Sequence, residues 1–87
     1  MALVFIPAML QTLTAGVTQV HIVGRTVRDI IHTLEERFPG IKDRLLQGGD
    51  LRPDIAVAVD GEMALDLFER VRDESEVHFI PPISGGR

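Results

Sequence analysis

The sequence predicts an α+β fold in two layers, in which four or five short strands form a sheet and one main helix packs on one face. Two patterns predict it. Val27, Ile30, Ile31, Leu34 and Phe38 recur at offsets 0, 3, 4, 7 and 11, which lines up one apolar face of a helix. Short apolar or alternating runs stand on either side of that helix, at residues 2–8, 55–64 and 76–80. One helix can cover only one face of the sheet those runs would build.

The elements follow in the order ββαβββ. "ALVFIPA" at 2–8 reads as a strand buried on both faces, at the sheet centre. Turn signals in "LTAG" at 13–16 lead into "VTQVHIVG", which places Val20 and Ile22 on one face and Gln19 and His21 on the other, in a hairpin with the first strand. Thr26, with Asp29 three residues on, marks the helix start, and Pro39-Gly40 stops it. Ile41, Leu45 and Leu46 suggest a second helical turn, ended by Gly48-Gly49 as a helix cap and loop. Ile55, Val57 and Val59 alternate with small residues before Asp60-Gly61, a pair suited to a tight hairpin. Leu65, Leu67 and Phe68 read as core plugs in an irregular link, and "EVHFI" at 76–80 is the last strand.

Composition narrows the function. Eighty-seven residues at 45% hydrophobic content make one small core, with too little depth for an elaborate enclosed active site. The absence of cysteine excludes a disulfide framework, a zinc ribbon and thiol chemistry from the chain's own side chains. A net charge of −4, scattered basic residues and no Trp or Tyr argue against nucleic acid. "MALVFIPAML" is broken by Pro7, is too short to span a bilayer and follows no basic segment, so a soluble cytoplasmic protein is expected, without a membrane partner.

No constellation points to catalysis or a metal. His21, His32 and His78 stand at no two-ligand spacing on one element; His21 and His78 read as outward strand residues able to meet across the sheet, and His32 as a solvated helix residue. Ser84 has no positioned base, and Asp73-Glu74-Ser75-Glu76 is a charged turn without a cleft. The ending "VHFIPPISGGR" is different. Pro81 and Pro82 stiffen the exit from the sheet, and the five residues from Ile83 could reach on the order of 15 Å. Glycine passes channels too narrow for a Cβ, and a terminal glycine offers a nearly unshielded carboxylate. The expected organisation is a domain at 1–82 and a flexible tail at 83–87.

At this point the chain resembles the MoaD/ThiS family of ubiquitin-like sulfur carriers, which have the β-grasp fold with a mixed sheet. "VFIPAMLQTLTAG" is similar to the family's first hairpin and "RTVRDIIHTLEERFPGIKDRLL" to its helix and following turn. "IAVAVDGEMA" matches its later hairpin, and "RDESEVHFIPPISGG" its terminal signature. The resemblance implies a carrier rather than an enzyme, with no bound cofactor. An adenylyltransferase resembling the ubiquitin-activating enzymes would activate the terminal glycine with ATP. Sulfur transfer would then make a thiocarboxylate that donates to a sulfur-accepting synthase, in molybdopterin, thiamine or cysteine biosynthesis. Gly86 is the modified residue it implies; Ile83, Ser84, Gly85 and Gly86 would enter the partner's active site, and Phe79, Pro81 and Pro82 would contribute to docking.

Two departures qualify this. Glu74-Ser75 replaces the Gly-Asp usual before the last strand, and Arg87 follows the glycines, so Gly86 has no free carboxylate as the chain stands. Removal of Arg87, by a metalloprotease in some relatives, is the step the resemblance implies. Two other roles stay open: a ubiquitin-like modifier joined to target lysines, and the small subunit of a molybdopterin synthase-like heterodimer. Lys42 is the only lysine, which suits a modifier that must not be its own target, although an Arg-rich composition explains it equally.

Overall fold

Alternating side chains at the two ends of the chain make the sheet. The computed structural model describes residues 1–81. Strand β1 (Ala2–Phe5) runs into a 3-10 turn at Ala8–Leu10 and returns as β2 (Gln19–Ile22). Helix α1 (Val27–Arg37) and the short α2 (Ile41–Leu45) follow. Then come a small hairpin of β3 (Leu46–Gln47) and β4 (Asp50–Leu51), the strands β5 (Ala56–Val59) and β6 (Glu62–Met63), and last β7 (Glu76–Ile80). Five strands form one sheet in the order β2-β1-β7-β5-β6; β1 and β7 pair in parallel, and the other neighbours are antiparallel. This is the mixed sheet that the resemblance implies.

Register decides the two faces. Val20, Val4, Val77 and Val59 lie in one row across β2, β1, β7 and β5, all turned inward and buried. Against that row α1 presses Val27, Ile30, Ile31 and Leu34, each fully buried. A fully buried side chain of this kind contributes about 1.5–3 kcal/mol relative to exposure. Thr26 caps the helix by accepting the Asp29 N–H at 3.2 Å, while the Asp29 carboxylate takes the Arg25 N–H at 3.1 Å. Glu35 accepts the backbone N–H groups of Gly40 and Lys42, at 3.1 and 2.9 Å, and so ties α1 to the start of α2. Those bonds, Lys42 first, hold its carboxyl below the ordinary range.

A second clasp joins the β5–β6 turn to the start of β7. Asp60 and Gly61 both have positive φ, 53° and 84°, as a two-residue hairpin turn requires. The Asp60 carboxylate accepts the Glu76 N–H at 2.9 Å and the Ser75 hydroxyl at 2.8 Å, and Ser75 Oγ accepts the Arg72 N–H at 2.9 Å. The charged turn expected at 73–76 therefore has a buried member, Ser75, that bridges two loops.

Four expectations are corrected. β1 is the second strand, with β7 at the centre, and its side chains alternate buried and half-buried, because among the described residues the helical layer lies on one face. Gly48-Gly49 does not cap a helix: with φ of 63° and 89° the pair is the turn of the β3–β4 hairpin. Of the three expected plugs only Leu67 enters the core, 4% exposed. Leu65 and Phe68 stay outside it, because the backbone from Leu67 to Glu69 is pinned to the first turn of α1 by Arg28 N–H to Leu67 O (2.9 Å) and Val27 N–H to Glu69 O (3.1 Å). One side chain turns in and its neighbours turn out.

Candidate functional site

The face of the sheet away from α1 carries the candidate site. Strand alternation brings Leu3 and Phe5 from β1, His78 and Ile80 from β7, Ala56 and Ala58 from β5, and Met63 from β6 to that face. Phe5 and His78 stack in its middle, with centroids 4.1 Å apart and an interplanar angle of 8°. Past β6, the Ala64 N–H still reaches the Val57 carbonyl at 2.7 Å, and Leu65 follows, 92% exposed. Met63, Leu65 and Ile80 are exposed large apolar side chains at or beside this face.

Charge sits at the margin of this face. Glu76 Oε1 lies 3.8 Å from His78 Nε2, and His21 stands opposite Leu3 on the edge strand. His21 and His78 are outward as expected, but β1 runs between them and the partner of His78 is Phe5. His32, expected to be solvated, is half-buried on α1. Among the described residues no group of three or more His, Asp or Glu converges on a point that could hold a metal, and no helix is long and apolar enough to cross a membrane.

Of the residues assigned to docking, Phe79 is corrected. It is 4% exposed and faces the core, since its neighbours His78 and Ile80 take the outer positions of β7. Ile80, 41% exposed, is the apolar residue which that strand does offer, and Pro81 is half-buried. Sequence reasoning missed Phe5, Met63 and Ile80; the alternation that put Phe79 inward would have found Ile80. Pro82, Ile83, Ser84, Gly85, Gly86 and Arg87 lie outside the described residues.

The ThiS family model matches residues 4–86, from β1 through the second glycine of the terminal pair. This chain belongs to the ThiS family. A molybdopterin synthase sulfur carrier subunit from Phaeosphaeria nodorum is 36% identical over 59 residues, which are 67% of this chain and 62% of that relative, so the match spans less than two thirds of it. Small archaeal modifier protein 3 from Haloferax volcanii is 31% identical over 64 residues, 70% of each chain. Among solved structures, a chain of the Amycolatopsis orientalis BexX/CysO complex superposes with a TM-score of 0.94 at 35% identity, covering 99% of this chain and all of that one. The fold of this ThiS-family chain is thus the ubiquitin-like β-grasp, and its named relatives are sulfur carriers and small protein modifiers.

Proposed function

We propose that this protein is a sulfur carrier whose working group is the carboxyl of Gly86. The observation that supports it most is that the family match runs through residue 86 and so includes the Gly85-Gly86 pair, which follows the end of the central strand β7 in the sequence after four residues. Hydrolysis of the Gly86–Arg87 peptide bond, by a metalloprotease, frees the carboxylate. One of its oxygens attacks the α-phosphorus of ATP on a partner adenylyltransferase, pyrophosphate leaves, and an acyl adenylate forms. A sulfide-level sulfur nucleophile then attacks the acyl carbon and expels AMP, which leaves a thiocarboxylate. A synthase consumes that sulfur in making molybdopterin, thiamine or cysteine.

The domain supplies no side chain to these steps. Its part is to present an apolar sheet face to the enzyme and to hold the root of the tail still, while glycines without Cβ atoms let residues 83–86 enter a narrow cleft. Residues 1–82 form the docking body in this reading, 83–87 the tail, and 83–86 the part inserted once Arg87 is removed. The named relation to a molybdopterin synthase carrier subunit and to a chain of the BexX/CysO complex supports a partner-dependent protein.

Intact mass of the protein purified from its own cells tests this. The expected species ends at Gly86 and carries sulfur in place of one carboxyl oxygen. Incubation of full-length and Gly86-terminated chains with the activating enzyme, ATP and a sulfur donor tests the processing step; equal activation of both would rule it out. A second reading, a protein modifier, is favoured by the likeness to small archaeal modifier protein 3. It predicts a ladder of conjugates that vanishes when Gly85-Gly86 is deleted.

A further inference from the structure

Beside the root of the tail lies a hollow of about 310 Å³ lined by Met9, Arg44, Arg52, Asp54 and Ile55. We infer that its two arginines are the docking point for a carboxylate-bearing segment on the rim of the enzyme that receives the tail. The inference rests on the carrier reading above and adds the chemistry of the partner's surface.

Position comes first. The β5–β7 register pairs Val57 with Phe79 and Ala56 with Ile80, so Ile55, just before Ala56, and Pro81, the last described residue, both adjoin the end of that ladder. Ile55 is also a wall of the hollow. Six residues, 82–87, continue from there. An enzyme that closes around Gly86 has the end of β7 at the mouth of its cleft, and in this proposal its rim reaches the hollow. Drawn extended, the five steps from Pro81 to Gly86 span about 16 Å. A group bound at Arg44 and Arg52 is thus remote from the acyl carbon, which assigns it to the cleft's rim rather than to the reacting nucleotide.

Charge and geometry select the ligand. Arg52 is half-buried and already oriented: Nε and Nη2 donate to the Asp43 carbonyl at 3.3 and 3.1 Å, and Nη1 donates to Gln47 Oε1 at 3.2 Å. Three of the five guanidinium N–H donors are engaged, and two are left for an outside acceptor. Arg44, on α2, is exposed, and neither arginine enters an ion pair among the described residues, Asp54 included. A planar guanidinium held in place matches a carboxylate in two-point contact. The chain as a whole carries −4, while this hollow sets two guanidinium groups against one carboxylate, Asp54, and so favours an acidic ligand over most of the surface.

ATP–pyrophosphate exchange with the adenylyltransferase from the same cells tests the proposal, using the Gly86-terminated chain and its Arg44→Glu and Arg44→Lys variants. Arg44→Glu is expected to raise the KM for the carrier about fivefold at low salt with kcat unchanged, from one exposed ion pair lost and a repulsion gained. The difference should fade at high salt, and Arg44→Lys should keep most of the affinity. Circular dichroism melting confirms that each variant is folded. Arg52→Lys keeps the charge and loses the fork; a raised KM with an unchanged melting temperature adds support. A KM for Arg44→Glu equal to that of the parent overturns the proposal and leaves the carrier reading standing, because exchange still depends on Gly86. A loss confined to kcat also overturns it, since that would put Arg44 at the chemistry. No exchange with the parent chain removes the carrier reading, and this inference with it.

Discussion

Phe5 and His78 lie face to face on the open side of the sheet, 4.1 Å between centroids and 8° from parallel, on the two strands whose parallel pairing joins the ends of the chain. The stack is worth about 0.5–1.5 kcal/mol beyond the area it covers. Phe5→Ala should therefore lower stability by more than roughly 1 kcal/mol, since the covered area is lost with the stack, and leave the fold intact. Its effect on the partner should be larger, because it removes the centre of the apolar face. Urea unfolding and the KM for the carrier in pyrophosphate exchange separate the two, and an unchanged KM would show that the enzyme docks elsewhere.

Leu65 and Leu67 are two residues apart and opposite in environment, 92% and 4% exposed. Leu67→Ala should cost about 2–5 kcal/mol, the usual range for a buried leucine. Leu65→Ala should leave the unfolding midpoint within error and weaken partner binding instead. If the two variants lose equal stability, Leu65 packs against something that its exposure does not show.

Gly24 is a packing constraint. A Cβ built there would lie 3.0 Å from Asp29 Cβ, Ile30 Cδ1 and the Ile30 backbone nitrogen at once, and the last of these belongs to a helix held by its cap. Gly24→Ala should destabilise by about 1–3 kcal/mol through overpacking. A thermal or urea melt that matches the parent would mean that α1 shifts freely at its first turn.

Asp60 makes stability depend on acid pH. The Glu76 N–H, then the Ser75 hydroxyl, with Arg72 nearby, hold its carboxyl below the ordinary 3.8 against an opposing desolvation. The folded value lies below the unfolded one, so the stabilisation is present above the unfolded value and is lost as pH falls through the folded one. Asp60→Asn should thus lower the denaturation midpoint near neutral pH. The gap from the parent should close in the range below 3.8. A gap that stays constant with pH would show that the amide's hydrogen bonds, and not the charge, account for the difference.

What was legible in the sequence was local. Thr26 and Asp29 marked the start of α1, and Asp60-Gly61 marked a hairpin, because capping and turn chemistry lie within three or four residues. The parallel pairing of β1 with β7 joins residues more than seventy apart, which no local pattern encodes. The facing of Leu65, Leu67 and Phe68 depended on backbone bonds to α1 that their shared hydrophobicity conceals. Phe79 was placed on the surface by family likeness when strand alternation already turned it inward. The apolar side chains of the candidate face were visible one by one, but their assembly into one surface required the register.

The position of β7 has a mechanical meaning. The strand that leads into the tail is held along both of its edges, by β1 in parallel and by β5 antiparallel, and its hydrogen bonds to both run across the direction in which a tail would be drawn. Tension applied at Gly86 therefore loads two ladders in shear at once instead of peeling one from its end. In the carrier reading, an enzyme that draws the tail taut would pull against this anchor without unravelling the protein that carries it.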